Sequence, residues 1–385
     1  MWIYGDLPNG WTTRKIGDYA IVITDYVANG SFASLAKNVV YKSKPDYAIL
    51  VRLTDYNNDY KGNFVYIDQH AYEFLSKSKL YGNEIIISNV GANVGTVFRC
   101  PKLDIKMSLA PNSIMLKTKG NDDFYYYWFT SKNGQHSLQS IVTGSAQPKF
   151  NKTNFRDLEV PVPPLNIQNK IAEYLISIDR KIQLNKQIND NLLQQAQAIF
   201  LDRFPSYFDG TSTISKFILP KRGKSFLSKN AVPGPVPVVA GGLEPATYHN
   251  VSNTKAPVIT ISASGANAGY VRLWNKEVWS SDSSYIDDSV TKYVYFWFTL
   301  LKIRQQEIFD SQTGSAQPHI YPQHIGSLKI PDFDLQAIKQ FNNDVEPLFK
   351  LIGKNDEQNT ILAKMRDNLL PRLMSGDIDL DSINV

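Results

Sequence analysis

The chain has 385 residues, of which 43% are hydrophobic and 20% charged, with a net charge of +5; it is too apolar for a disordered protein and long enough for two or three domains. A single cysteine, Cys100, excludes an internal disulfide framework and a cysteine-cluster zinc site, and points to a reducing compartment. No run approaches the roughly 18 apolar residues of a membrane span, so a soluble, cytoplasmic protein is expected.

In chain order, residues 1–160 read as mixed α/β. The β-rich runs YAILVRL from Tyr47 and EIIIS from Glu84 alternate with turn clusters, and a short helix around Asp122 to Leu138 carries Trp128 as a core anchor. Pro45-Asp46, followed by Asp59-Tyr60-Lys61, fits the spacing of metal-dependent nucleases, in which two carboxylates hold Mg²⁺ and the lysine steadies the attacking water. Residues 164–204 form a long helical pattern: Ile171, Leu175, Ile178 and Ile182, then Leu192, Ala196 and Ile199, step by four and three as a heptad seam. Pro163 and Pro164 stop the helix from starting earlier, and Asn166 is the expected N-cap. Residues 206–333 return to mixed α/β with APVITIS from Ala256 and a helix around Ser289 to Phe309. A second long helix, 334–374, then begins at the N-cap candidate Asp334, and an acidic tail covers 375–385. Basic residues exceed acidic ones 16 to 12 over residues 1–150 and 12 to 9 over 206–333, which is compatible with phosphate-facing surfaces without requiring them.

The chain is a tandem repeat. TGSAQP at Thr143–Pro148 recurs unchanged at Thr313–Pro318, an offset of 170. YWFT from Tyr127 is echoed by FWFT from Phe296, and ISNVGANVGTV from Ile87 by ISASGANAGYV from Ile261. The second seam, Phe341, Val345, Leu348, Ile352, Leu362 and Leu369, lies 170 residues after its counterpart. Between these motifs the copies differ; residues 17–84 have no recognisable counterpart between 215 and 257. If the seams pack together, the connectivity makes the helices antiparallel and sets the globular blocks, inverted, at opposite ends of a rod. About 40 residues at 1.5 Å rise give roughly 60 Å, or about 18 base-pair steps. Inverted basic blocks on a rigid spacer suit duplex DNA, and the same symmetry suits clamping two protein subunits.

This order of variable block, long helix, variable block, long helix, with TGSAQP leading into VPVPPLNIQNKIAEYL, resembles the specificity subunits of Type I restriction–modification enzymes over essentially the whole chain. LPNGWTTRKIGDYA resembles the start of their first target recognition domain, and MRDNLLPRLMSGDIDL the close of their second conserved helix. TSTISKFILPKRGKSF departs from the Pro-x-x-Trp lead-in, which leaves the start of the second domain, near Thr211, open. The resemblance implies an α/β (α+β) fold with target recognition domains at 1–160 and 206–333 and an antiparallel coiled coil of the helices 164–204 and 334–374. It implies a non-catalytic reader of double-stranded DNA, each domain binding one half of a bipartite, asymmetric site while the helices set the gap and dock two methyltransferase subunits. Restriction subunits would join them, with S-adenosylmethionine, ATP and Mg²⁺ on the partners. The chain agrees by omission, carrying no Asn-Pro-Pro-aromatic motif, glycine-rich cofactor loop or Walker lysine.

The candidate DNA contacts are Lys37, Lys42, Lys44, Lys61 and Lys149 in the first domain, and Lys221, Arg222, Lys224, Lys229 and Arg272 in the second, with PKRGKSF from Pro220 a basic cluster in an expected loop. GANVG (Gly91–Gly95) and GANAG (Gly265–Gly269) read as tight hairpins, with Asn93 and Asn267 able to reach a base edge and backbone amides to approach a phosphate. Thr143, Ser145 and Gln147, with Thr313, Ser315 and Gln317, are expected to fasten each domain to its long helix by satisfying backbone groups where that helix begins; Gln147 and Gln317 touching DNA or methyltransferase is the alternative. Asn185, Asn189, Asn355 and Asn359 interrupt the seams and are expected to set coiled-coil register.

Overall fold

The computed structural model of the protein describes residues 7–314 and 317–378. The chain forms two compact units, one made of residues up to Arg180 together with those from Leu362 onward, the other of Lys181–Ile361.

The first unit is built on a four-stranded antiparallel sheet in the order Ala20–Asp25, Ser113–Thr118, Ile85–Ser88, Val97–Arg99. The run of isoleucines at 85–87 is apolar without alternation because both faces are covered. Ile85 and Ile87 enter a core with Phe124, Tyr125, Trp128 and Phe129, whereas Ile86 enters a second core with Phe98, Cys100 and Met115. A second sheet runs Val65–Ile67, Ala48–Val51, Lys106–Leu109, Lys79–Leu80, its middle pair parallel. The aromatic segment forms two helices, Asp122–Thr130 and Lys132–Ser140, not one. The break falls at Ser131, whose hydroxyl accepts from Gly134 N, and a Cβ on Gly134 would lie 2.1 Å from the Trp128 carbonyl oxygen. Thr12–Lys15 pairs with Glu159–Val162, tying the start of the unit to the approach of the long helix.

The second unit repeats this plan. Its antiparallel sheet runs Lys221–Arg222, Ser283–Ile286, Val258–Ser262, Val271–Trp274, and its smaller sheet runs Thr247–His249, Val236–Val239, Trp279–Ser280, the last pair parallel. Ser212–Thr213 pairs with Lys329–Ile330 as Thr12–Lys15 does with Glu159–Val162. The expectation that residues 17–84 lack a counterpart is therefore corrected at the level of strands: Ala48–Val51 and Val65–Ile67 correspond to Val236–Val239 and Thr247–His249 in order and direction. The helices Phe32–Asn38, Leu53–Asn57 and Gln69–Phe74 are the parts without α-helical equivalents there.

The long helices are Leu165–Arg203 and Leu335–Met374. They run antiparallel within each unit, since early residues of one meet late residues of the other. In the first unit Asp179 pairs with Arg366 at 2.7 Å, and Leu175 shares a core with Leu373 and Met374. In the second, Asn185 donates to Gln358 and Asn359 at 2.8 and 2.9 Å, Arg203 pairs with Asp344 at 2.9 Å, and Phe200 packs on Phe341. Asp334 caps its helix by accepting from Gln336 N and Ala337 N. Asn166 does not cap the first, because that helix already begins at Leu165.

Candidate nucleic-acid interface

In both units the two recurring loops meet. GANVG turns between Ile85–Ser88 and Val97–Arg99, closed by Ser88 N to Thr96 O at 2.9 Å and Gly95 N to Ser88 O at 2.8 Å. GANAG is closed identically, by Ser262 N to Tyr270 O at 3.0 Å and Gly269 N to Ser262 O at 2.8 Å. TGSAQP then docks on the turn: Gly91 N donates to Pro148 O at 2.9 Å, and Gly265 N to Pro318 O at 3.1 Å. Thr143 and Lys149, like Thr313 and His319, exchange both backbone bonds and close the hexapeptide on itself. Gln135 and Gln305, 170 residues apart, hold the hairpins from behind by donating to Gly95 O at 3.0 Å and Gly269 O at 2.8 Å. Gly91 and Gly265 have φ of +101° and +80°, with open space where a Cβ would stand, so backbone geometry rather than crowding demands glycine.

The hairpin reading of these loops therefore holds, and the amides of Gly91 and Gly265 are already engaged. What remains outward are side chains. Asn93, Ser145, Gln147 and Gln317 are exposed and Asn267 is half-buried, none with a side-chain hydrogen bond to another described residue. Ser315 lies outside the described residues.

The junction between each domain and its long helix is made elsewhere. The Thr143 and Thr313 hydroxyls bond the carbonyls of Lys149 and His319, not the start of the helices. Instead, each long helix sends one buried amide back to its domain's aromatic helix. Gln168 accepts from Asn121 N at 2.9 Å and donates to Pro163 O at 2.8 Å; Asn342 accepts from Tyr295 N and Phe296 N at 3.1 and 3.3 Å. Tyr127 adds a bond to Asp179 at 2.6 Å, and burial of the ring, helped by this carboxylate, raises the phenol above its ordinary range. Sequence reasoning missed Gln168 and Asn342 because single amides beside a seam look like solvated positions. Trp128 and Trp297, each 1% exposed, are core residues.

The basic candidates fall into two groups. Lys37, Lys44, Lys149, Lys224 and Lys229 are exposed, with no ion-pair partner among the described residues. Lys42 is held by Asp46 at 2.7 Å and Asp68 at 3.2 Å, Lys61 lies 3.8 Å from Asp59, and Arg222 pairs with Asp282 at 2.7 Å. Lys221 donates to the Ser289 hydroxyl at 2.9 Å. Lys221 and Arg222 lie on a strand rather than in the loop expected of PKRGKSF, and Gly223 follows because a Cβ there would sit 2.5 Å from Ser281 O. In the nuclease-like pattern, the hydrogen bond from Lys42 holds the Asp46 carboxyl below its usual range. Among the described residues no group of three or more His, Cys, Asp or Glu is placed to hold a metal.

Four asparagines form a polar layer in the helix pair. Asn185, 1% exposed, meets Gln358 and Asn359, while Asn189 donates to Asp356 at 2.9 Å and accepts from Asn355 at 2.8 Å. Among the described residues no helix is long and apolar enough to cross a membrane.

Residues 8–194 match the family described as Type I restriction modification DNA specificity domain. The chain is 21% identical to the Type I restriction enzyme MjaIX specificity subunit of Methanocaldococcus jannaschii, across 98% of this chain and 96% of that protein. It is 32% identical to the MjaVIII specificity subunit of the same organism over a shorter stretch, 28% of this chain and 24% of that protein. Its fold is similar to that of the crystallised Type-I restriction-modification S subunit from M. genitalium, with a TM-score of 0.55 at 18% identity, covering 97% of this chain and 98% of that one.

Proposed function

Because this chain belongs to the specificity subunits of Type I restriction–modification systems, we propose that each of its two units binds one half of a bipartite, asymmetric double-stranded DNA site. One observation carries the reading. The units keep one strand plan and one loop edge, down to the hydrogen bonds that close it, while the residues flanking that edge differ. A retained frame with divergent flanks is what two readers of unlike half-sites require.

In this reading Asn93 and Asn267 touch base edges, and the free lysines Lys37, Lys44, Lys149, Lys224 and Lys229 meet phosphates. The asparagine layer fixes the register of the helix pair, whose length sets the gap and whose sides dock two methyltransferase subunits. S-adenosylmethionine, ATP and Mg²⁺ act on those subunits and on restriction subunits, and the assembly works in the cytoplasm. Mapping methylated adenines in cells that express the chain with its methyltransferase partner tests this. Two short, unlike sequences at fixed spacing are expected. A contiguous or palindromic site would contradict it, as would DNA cut by the isolated protein with Mg²⁺ through Asp46, Asp59 and Lys61.

A further inference from the structure

Next to the shared loop edge, the second unit carries a group that the first has replaced by core. The two hairpins have the same register: Ile86 pairs with Phe98 where Thr260 pairs with Arg272, and Cys100 stands where the second unit has Trp274. In the first unit this face is sealed. Ile86 and Phe98 are fully buried, Phe98 stacks on Tyr56 at 5.1 Å, and Leu53, Tyr60 and Phe64 pack around them. The cover comes from residues 52–64, which join the strands Ala48–Val51 and Val65–Ile67. The equivalent connection in the second unit is only residues 240–246, without a helix. Its face is left as an open concavity lined by Leu243, Glu244, Thr260, Tyr270, Arg272 and Trp274, among others.

Arg272 is preorganised in that opening. Its guanidinium lies over the Trp274 ring, 4.0 Å from the centroid, and Nη1 donates to Leu243 O at 2.6 Å. Trp274 is fixed in turn by its indole N–H, which donates to Thr260 Oγ1 at 2.8 Å. The short loop is fastened by Ser262, whose hydroxyl donates to Gly241 O at 3.2 Å. A Cβ on Gly241 would lie 2.6 Å from Ser264 O, so glycine is needed where the loop crosses the approach to GANAG. These contacts consume one end of the guanidinium. Nε and Nη2, the side-on fork, have no hydrogen-bond acceptor among the described residues, and the side chain stays 33% exposed.

We infer that Arg272 and Glu244 together read one G·C base pair of the second half-site, Arg272 through guanine O6 and N7 and Glu244 by accepting from the cytosine amino group. A flat fork held by stacking suits the two acceptors of guanine, and an exposed carboxylate suits the cytosine donor. The Glu244 carboxylate lies 3.9 Å from Nη1 and is itself 83% exposed, so it would repel a phosphate but not a neutral base edge. The first unit has no equivalent, since Phe98 occupies the position of Arg272. The inference rests on the proposed reading that the second unit faces one half-site.

The test is to map methylated sites for the full chain with its methyltransferase partner, as wild type and as Arg272→Lys, Arg272→Gln and Glu244→Gln. The wild-type second half-site is expected to contain a fixed G·C pair. Arg272→Gln should lower discrimination at that pair by roughly ten- to hundred-fold and leave the first half-site unchanged. Arg272→Lys, which keeps the charge but loses the fork, should relax the same position, and Glu244→Gln should do so more weakly. A second half-site without guanine would overturn the inference, as would Arg272→Gln retaining the wild-type sequence. So would Arg272→Lys reading normally while Arg272→Gln weakens every site alike, the pattern of a phosphate contact. If Arg272→Gln is inactive through misfolding, an unrelaxed Glu244→Gln and an unrelaxed Arg272→Lys overturn it instead. Wild type methylating no bipartite sequence would remove the underlying reading.

Discussion

The two units differ most on one sheet face, and that difference shows how far a β frame can be resurfaced without changing its plan. In one, a connection containing the helix Leu53–Asn57 roofs Phe98 and turns the face into core; in the other, a short connection leaves Arg272 partly exposed over the buried Trp274. The backbone ladders do not register the exchange, because they use N–H and C=O groups that every sequence supplies. The length of one loop decides whether a strand residue must be apolar.

The sharpest way to break this comparison is to truncate the same rung in both units. Phe98→Ala should destabilise the first unit by about 3–5 kcal/mol, the usual loss for a buried phenylalanine, whereas Arg272→Ala should change unfolding of the second by only about 1 kcal/mol or less. Denaturant unfolding of the full chain measures both, and equal losses would contradict the account of the two faces. Each unit fastens its long helix through its own buried amide, one helical turn apart in the two copies, and the two should cost alike. Gln168→Ala and Asn342→Ala each strip a buried amide from the start of an aromatic helix, with an expected loss of about 1–2 kcal/mol. A loss confined to one unit would show that only one of the two amides fastens its helix to its domain.

The smallest effect is one of pH and belongs to the first unit alone. Lys42 and neighbouring backbone amides hold the Asp46 and Asp68 carboxyls below their usual values. Depressed folded values mean that this contribution is fully present above the unfolded carboxylate range, near about 4, and is lost as pH falls through the lower folded values. The protection of the Val65–Ile67 amides, taken relative to their intrinsic exchange rate at each pH, should therefore fall on acidification below that range, and Lys42→Met should flatten the dependence. An unchanged profile in the variant would rule the trio out as its source.

Much of this architecture could be read in the letters. The offset of 170 exposes the duplication, and the proline pair and Asp334 bracket the long helices closely. TGSAQP and GANVG are conspicuous singly, but their contact is not, because it joins backbone atoms of Gly91 and Pro148 far apart in sequence. The same reason hides the kinship of Ala48–Val51 with Val236–Val239, whose side chains share little while their ladders match. Gln168 and Asn342 are illegible for a different reason: burial of a lone amide depends on what packs above it. Arg272 stood among ten basic candidates, and only the missing roof over its strand sets it apart.

The claim on which all this depends is that the paired helices space two separate readers. Inserting four residues at matched positions of Leu165–Arg203 and Leu335–Met374 lengthens the pair by about 6 Å, close to two base-pair steps. Mapping methylated adenines for that variant should return the same two half-sites with the gap about two base pairs longer. An unchanged gap with both half-sites still read would contradict the account.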